Sequence, residues 1–314
     1  MTHSIILSLI SELPIPKRLL ETVAWYLISL IIPSDKHSQV FASKISGKAS
    51  SLFSNLLTHH GLSKIVLNHL ARTRLKKLMK KRSPLYKGSP WTIALIVDAT
   101  LHERSSQRSE NSQKFTHGKG WVWGHQWTNI ALLIAGKFVP LPPLPFYTKK
   151  ESKKRGFFYK TEKEKVASFL RNLSLKEILG PHSPSEVVVL MDSGYDSKKI
   201  QNTILSRKWD FIIALKKDRN ISTTGEDWQR ISDFFKDGRR PETCVRLKSS
   251  TSKKRQHYAT KHRDGFLKGI IPQVKLVCSR NSRGKTKYFA CSNLEVDVKK
   301  ILLAYKLRWA IEVF

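Results

Sequence analysis

The sequence is short of acid and of cysteine, and it has no long apolar run. Asp and Glu number 24 against 57 Lys and Arg, giving a formal charge of +33 and an isoelectric point near 10.2. An excess of this size argues about partners rather than fold: it calls for a polyanion, while 40% hydrophobic content is too high for a disordered basic tail. The three cysteines, Cys244, Cys278 and Cys291, are odd in number and lack CxxC spacing, which points to neither a disulfide framework nor a thiolate zinc site. The early apolar stretch Val23 to Ile32 is ten residues long, against about twenty for a membrane span. Residues 1–22 show no basic start followed by an apolar core and cleavage site, so a cytoplasmic protein with no membrane partner is expected by default. Membrane surface and ribosomal RNA are the other polyanions to weigh, but neither needs the acids described next.

The last stretch, Lys299 to Phe314, contains no Gly or Pro, and its apolar residues Leu302, Leu303, Leu307, Ala310, Ile311 and Phe314 recur at helical spacing. One amphipathic helix is expected, with Tyr305, Arg308 and Glu312 on a common face. Alone, the Arg–Glu pair reads as a surface ion pair. Two further carboxylates change that weight, because Asp98 in WTIALIVDAT and Asp192 in EVVVLMDSGYDS each follow an apolar strand-like run. A charge that interrupts such a run needs a partner or a metal, and three carboxylates suit a hard divalent cation.

The spacing of Tyr305, Arg308 and Glu312 resembles the Tyr-Arg-Glu-Lys signature of insertion-sequence transposases with an Asp-Asp-Glu triad. DSGYDS resembles that family's second-Asp motif and IVDAT its first. The resemblance runs from about Trp91 onward, and it places the signature Lys seven residues past Glu312, beyond Phe314. It implies a ribonuclease H-like α/β core, a mixed sheet with helices on both faces, in which the strands of Asp98 and Asp192 lie side by side. It also implies a β-rich insertion between the second Asp and the Glu.

Along the chain, an all-helical N-terminal DNA-binding domain is expected over residues 1–88 and the catalytic domain over 89–314, with the insertion at about 219–296. Met1 to Ile32 reads as one or two short helices, interrupted by Pro14 and Pro16 and with Pro33 ending the second, and two helices after Gly47, over about 48–60 and 62–79 on either side of Gly61, suit a helix-turn-helix-like module or a plain bundle. Eight basic residues crowd the stretch from Arg72 to Lys87, where Arg72, Arg74, Lys76, Lys77, Lys80, Lys81 and Arg82 are assigned to DNA phosphates. Residues 111–124 read as a loop. Trp127 to Ala135 and Lys137 to Pro140 read as strands turning at Gly136. Trp121, Trp123 and Trp127 serve packing in the more common use of tryptophan and stacking on displaced bases in the other. Lys149 to Lys160 reads as a basic loop, and Thr161 with Glu164 as a capping box opening a helix. A strand to Met191, a helix over 196–208 and a strand over 210–215 follow. The tract Lys236 to Lys287 carries sixteen Lys or Arg against three acids, and Lys253, Lys254, Arg255, Lys261 and Arg263 within it are assigned to DNA backbone.

These expectations combine into metal-dependent phosphoryl transfer on DNA. Asp98 bridges two Mg²⁺ (or Mn²⁺) ions about 3.5–4 Å apart, and Asp192 and Glu312 hold one each. Arg308 neutralises phosphate and Tyr305 packs or hydrogen-bonds beside it. The resemblance implies double-stranded DNA with terminal inverted repeats and a target DNA as substrates, and a homodimer that synapses the two ends. Two other readings stay open: a truncated, inactive remnant that only binds DNA, and a ribonuclease H-like nuclease without strand transfer.

The charge alone generates a test. DNA affinity is expected to fall steeply with salt, log K dropping about 0.9 per phosphate contacted for each tenfold rise in salt. A titration from low to physiological salt that gave a flat response would remove backbone binding as the explanation of the charge.

Overall fold

A computed structural model describes residues 2–33, 38–58, 62, 65, 66, 69, 73, 83–104, 111–117, 120–179, 185–236, 241–248 and 255–312. The residues fall into two compact units, Met1–Lys77 and Leu78–Phe314.

In the first unit, α1 (Thr2–Ile10), α2 (Lys17–Ile31), α3 (Gln39–Ser46) and α4 (Ser50–Thr58) follow one another. The Ser38 hydroxyl caps α3 by accepting from the Phe41 N–H, and Gly47 ends it in the left-handed region at φ 69°, where a side chain would be strained. α3 is absent from the sequence expectation, which places a helix only after Gly47. Ile10, Leu13, Val23, Ala24 and Leu56 form a buried cluster with Leu62 and Val66. Most of the expected helix over 62–79 lies outside the described residues. No described helix is long and apolar enough to cross a membrane.

The second unit is organised on β1 (Ile93–Glu103), whose first five residues are fully buried. A continuous apolar run of this kind suits a central strand covered on both faces. β2 (Gln113–His117) and β3 (Gly120–Ile134) correct the loop expected over 111–124: β3 begins at Gly120, pairs antiparallel with β1 as far as Glu103↔Gly124, and carries all three tryptophans. β4 (Lys137–Pro140) and β5 (Leu144–Pro145) lie on β3, the first after the turn expected at Gly136. β6 (Val187–Met191) runs parallel to β1, and β7 (Asp210–Leu215) parallel to β6.

After β7 come β8 (Asn220–Ser222), β9 (Gln229–Arg230), β10 (Thr243–Lys248), β11 (Arg255–Leu267), β12 (Val274–Asn281) and β13 (Thr286–Cys291). β13 pairs antiparallel with β7, and one sheet results, ordered β2-β3-β1-β6-β7-β13-β12-β11-β8-β9 with β10 on β11. The expected β-rich insertion therefore extends the central sheet.

Further helices are α5 (Lys149–Lys154), α6 (Glu162–Asn172), α7 (Leu175–Leu179), α8 (Lys198–Ser206), α9 (Ile231–Phe234) and α10 (Val298–Lys306). α5 corrects the basic loop expected over 149–160. Its sequence has no apolar stripe, but the Thr148 cap and an Arg155–Glu151 ion pair at 2.7 Å hold the turn. α6 opens with the expected capping box, Thr161 and Glu164 each bonding the other's backbone N–H. α10 buries Val298, Ile301, Leu302, Ala304 and Tyr305 against Ala94, Ile96, Val188, Leu190, Ile212, Val277 and Phe289 of the sheet. Leu85 joins this core, and the Tyr86 hydroxyl donates to the Lys300 carbonyl.

Below the sheet, Trp91 Nε1 donates to Asp210 at 2.7 Å, and Ser292 and Asn293 donate to the same carboxylate at 3.0 Å. The starts of β1 and β7 are thereby tied to the chain leaving β13.

β1 and β3 approach so closely at Gly124 that a Cβ there would overlap the His102 carbonyl oxygen. Gly124→Ala is expected to cost about 1–3 kcal/mol in a thermal or urea melt. Gly120→Ala, which meets open space, should cost much less; equal melts for the two would contradict the close approach.

Candidate active site

Asp98 lies one residue past the last β1–β6 pair, Val97↔Met191, and Asp192 directly follows Met191. Parallel pairing thus sets the two acids side by side at one edge of the sheet. The turn after Asp192 is fixed locally: its Oδ1 accepts from Gly194 N–H at 2.9 Å, and its carbonyl accepts from Tyr195 N–H.

The third acid arrives on the final helix, whose Asp297 cap accepts from Lys300 N–H. The expected single helix is α-helical only to Lys306. It then tightens to a 3₁₀ turn over Leu307–Ile311, and residues 313 and 314 lie outside the described residues. Tyr305, Arg308 and Glu312 still share a face. Arg308 donates through Nη1 to Asp98 Oδ2 at 2.7 Å and through Nη2 to Glu312 Oε1 at 2.6 Å. Its side chain is 9% exposed and that of Asp98 17%. Its Nε is buried without a hydrogen-bond partner among the described residues, and its guanidinium carbon lies 5.8 Å from the Tyr305 ring centre.

Burial pushes the Asp98 carboxyl above the ordinary aspartate range. Arg308 opposes that rise, while the nearby charges of Asp192 and Glu312 add to it. Desolvation prevails even with a guanidinium in contact, which marks a carboxylate under charge pressure.

Carboxylate oxygens without thiolate suit a hard divalent cation. Among the described residues, however, no three His, Cys, Asp or Glu side chains form a group that could hold a metal ion. Arg308 supplies the positive charge instead, and it occupies one oxygen each of Asp98 and Glu312. The donor chemistry fits a metal once Arg308 withdraws.

Two features escaped the sequence reading. Glu162, the first residue of α6, accepts from Gln126 Nε2 at 2.7 Å, Thr128 Oγ1 at 2.9 Å and Tyr195 Oη at 2.6 Å, locking the turn after Asp192 onto β3 and α6. Burial raises the Tyr195 pKa, so its hydroxyl keeps its proton and donates. Only the Tyr in DSGYDS hinted at this. The second feature is Lys287 on β13, an ammonium within electrostatic reach of Arg308 and Glu312. It was one of many in a basic tract, and only the fold brings it near Arg308 and Glu312.

Of the residues assigned to DNA, Arg72, Arg74, Lys76, Lys77, Lys80, Lys81, Arg82, Lys253 and Lys254 lie outside the described residues. Arg255 is exposed on β11. Lys261 Nζ reaches the Phe235 carbonyl at 3.5 Å, and Arg263 is ion-paired with Glu242, so part of its charge is already compensated.

Two carboxylates side by side where β6 ends against β1, with a third from a helix packed on the same sheet, gather on a mixed α/β fold. Residues 168–314 match the family model of the transposase DDE domain, so over that segment the chain is similar to transposase DDE domains. The matched segment is just under half of the chain and contains Asp192, Tyr305, Arg308 and Glu312; Asp98 precedes it. No curated protein gives a significant match to this chain.

Arg308→Met leaves Asp98 buried without its cation, at an expected cost of about 2–3 kcal/mol near neutral pH. A neutral acid needs no counter-ion, so the deficit should shrink as pH falls through the raised Asp98 pKa. Melts of parent and variant across that range test the pairing; a deficit independent of pH would contradict it.

Proposed function

We propose that the chain cleaves DNA at the ends of an insertion sequence and joins the freed 3′ ends to a target, as a divalent-metal-dependent polynucleotidyl transferase. The observation that carries this reading is the bridge by which Arg308 joins Asp98, 210 residues earlier in the sequence, to Glu312 beside Asp192. A structural ion pair needs one acid; here three gather at a sheet edge in a chain of net charge +33.

Asp98, Asp192 and Glu312 would hold the metal, Mg²⁺ or Mn²⁺. When bound, such ions lower the pKa of an attacking water or 3′-hydroxyl and stabilise the leaving oxygen. The chain's own residues do the rest. Arg308, once its carboxylates are otherwise neutralised, is a bidentate donor for a phosphate beside the scissile bond. Tyr305 is buried beneath it against Phe289 at 4.6 Å and limits where the guanidinium can go. The Glu162 network keeps Asp192 at the edge. Exposed Lys and Arg elsewhere supply the sequence-independent attraction for duplex DNA, and a homodimer pairing two inverted repeats in the cytoplasm completes the reading.

Changing Asp98 or Asp192 to Asn, or Glu312 to Gln, removes charge while keeping volume. Metal-dependent nicking of a labelled terminal-repeat duplex should fall by at least about a hundredfold while DNA binding survives. Glu295→Gln, at an exposed position, is the control. Asp196 is unsuitable for that use, because it is buried against Arg219 and Gln201. Near-full nicking by Asp192→Asn or Glu312→Gln would sink the assignment, and nicking without joining to a second duplex would favour a nuclease.

A further inference from the structure

The face of the sheet that α10 covers does not stop at Asp98. β1 and β3 pair without interruption, Ala94↔Leu133 through Asp98↔Asn129 to Thr100↔Trp127 and His102↔His125. Directly opposed antiparallel residues share a face, and that face recurs every second residue. Ala94, Ile96 and Leu133 lie in the core beneath α10, so Asp98, Thr100, His102 and Arg104 continue their side, together with the odd-numbered residues of β3 down to Trp121.

Local contacts agree. Asn129 donates to Thr100 Oγ1 at 2.7 Å, Arg104 Nε to His125 Nδ1 at 3.3 Å, and Trp121 and Trp123 meet edge to face at 6.4 Å. Lys114, opposite Trp123, places its ammonium 3.9 Å from the Trp121 ring centre. The opposite face belongs to α6, since Thr128 and Gln126 bond Glu162.

β6 ends level with Val97, so beyond Asp98 this ribbon projects past the site with no parallel partner. From Asn129 to Trp121, at about 3.3 Å per residue, it extends roughly 26 Å. His102, Arg104, Lys114 and Trp121 are exposed, Trp121 by 53%.

We propose that this stripe is a track for unpaired DNA leading to or from Asp98, with bases stacking on Trp121 and Trp123 and phosphates running past Lys114 and Arg104. Duplex DNA hides its base faces, and a Lys/Arg ribbon would suffice for its backbone. Indole faces alternating with cations along one side of a ribbon match a single strand, whose bases are free to stack. The proposal rests on DNA being the substrate and adds where an unpaired end lies.

The test uses the full chain in EDTA, so binding is read apart from cleavage. Affinity is measured for a blunt duplex and for the same duplex with a single-stranded tail of about eight nucleotides. Trp121→Ala is expected to lose about tenfold on the tailed duplex and little on the blunt one. Trp121→Phe should keep most of the tail affinity, and Trp228→Ala, an exposed tryptophan off the stripe, should change neither. Unchanged tail affinity in Trp121→Ala, or equal loss on both duplexes, overturns the track. A second readout needs no variant: a 5-bromouracil tail photo-crosslinked to the parent protein should map to residues 120–129, and crosslinks confined to 236–287 would overturn the proposal. Loss of nicking in Asp192→Asn with tail binding intact would separate this result from the fate of the catalytic reading.

Discussion

Arg308 is the residue on which the site and the final helix both depend. Asp98 is drawn under the helix by the buried strand that precedes it, and a carboxylate so placed must lose its charge or acquire a cation. The guanidinium reaches it at 2.7 Å and, with the other arm of its fork, holds Glu312 one turn onward at 2.6 Å. Without that fork, three acids would face one another at the end of α10 and repel it from the sheet. With it, the final helix closes over the place where β6 ends beside β1. The same contacts place a guanidinium charge where the acids meet.

The sheet itself joins a long, basic segment to the core that carries Asp98 and Asp192. β13 returns to β7, and the strands after it share the core under α10 through Val245, Leu247, Val277 and Phe289. Charge in this segment is therefore mounted on a sheet continuous with β1 and β6. Not all of it is free, because the Arg263–Glu242 pair consumes one cation. At the other side of β1, the ribbon of β2 and β3 carries aromatic and basic residues outward on the face of Asp98.

Where sequence reading succeeded, local physics was enough. The capping box at Thr161, the apolar runs that end at Asp98 and Asp192, and the Tyr-Arg-Glu face depend on neighbours within a few residues. Where it failed, long-range pairing overrode local preference. Gly118, Gly120 and Gly124 made residues 111–124 read as a loop, yet β3 forms there because β1 supplies a partner, and Gly124 is needed for the strands to approach. α5 has no apolar periodicity to signal it, and β11, which carries Arg255, Lys261 and Arg263, alternates too weakly to be read as one strand of thirteen residues.

The sequence by itself determined the charge excess and the candidate acids, because net charge, carboxylates after apolar runs and the spacing of Tyr305, Arg308 and Glu312 are properties of composition and helical or strand period. Only the tertiary structure decided that Arg308 bridges Asp98 and Glu312, that Glu162 anchors the turn after Asp192, and that the tryptophans line up with Asp98. Each of these is a contact or register between segments far apart in the chain, fixed by which strands pair and which faces are covered, and no local pattern encodes it.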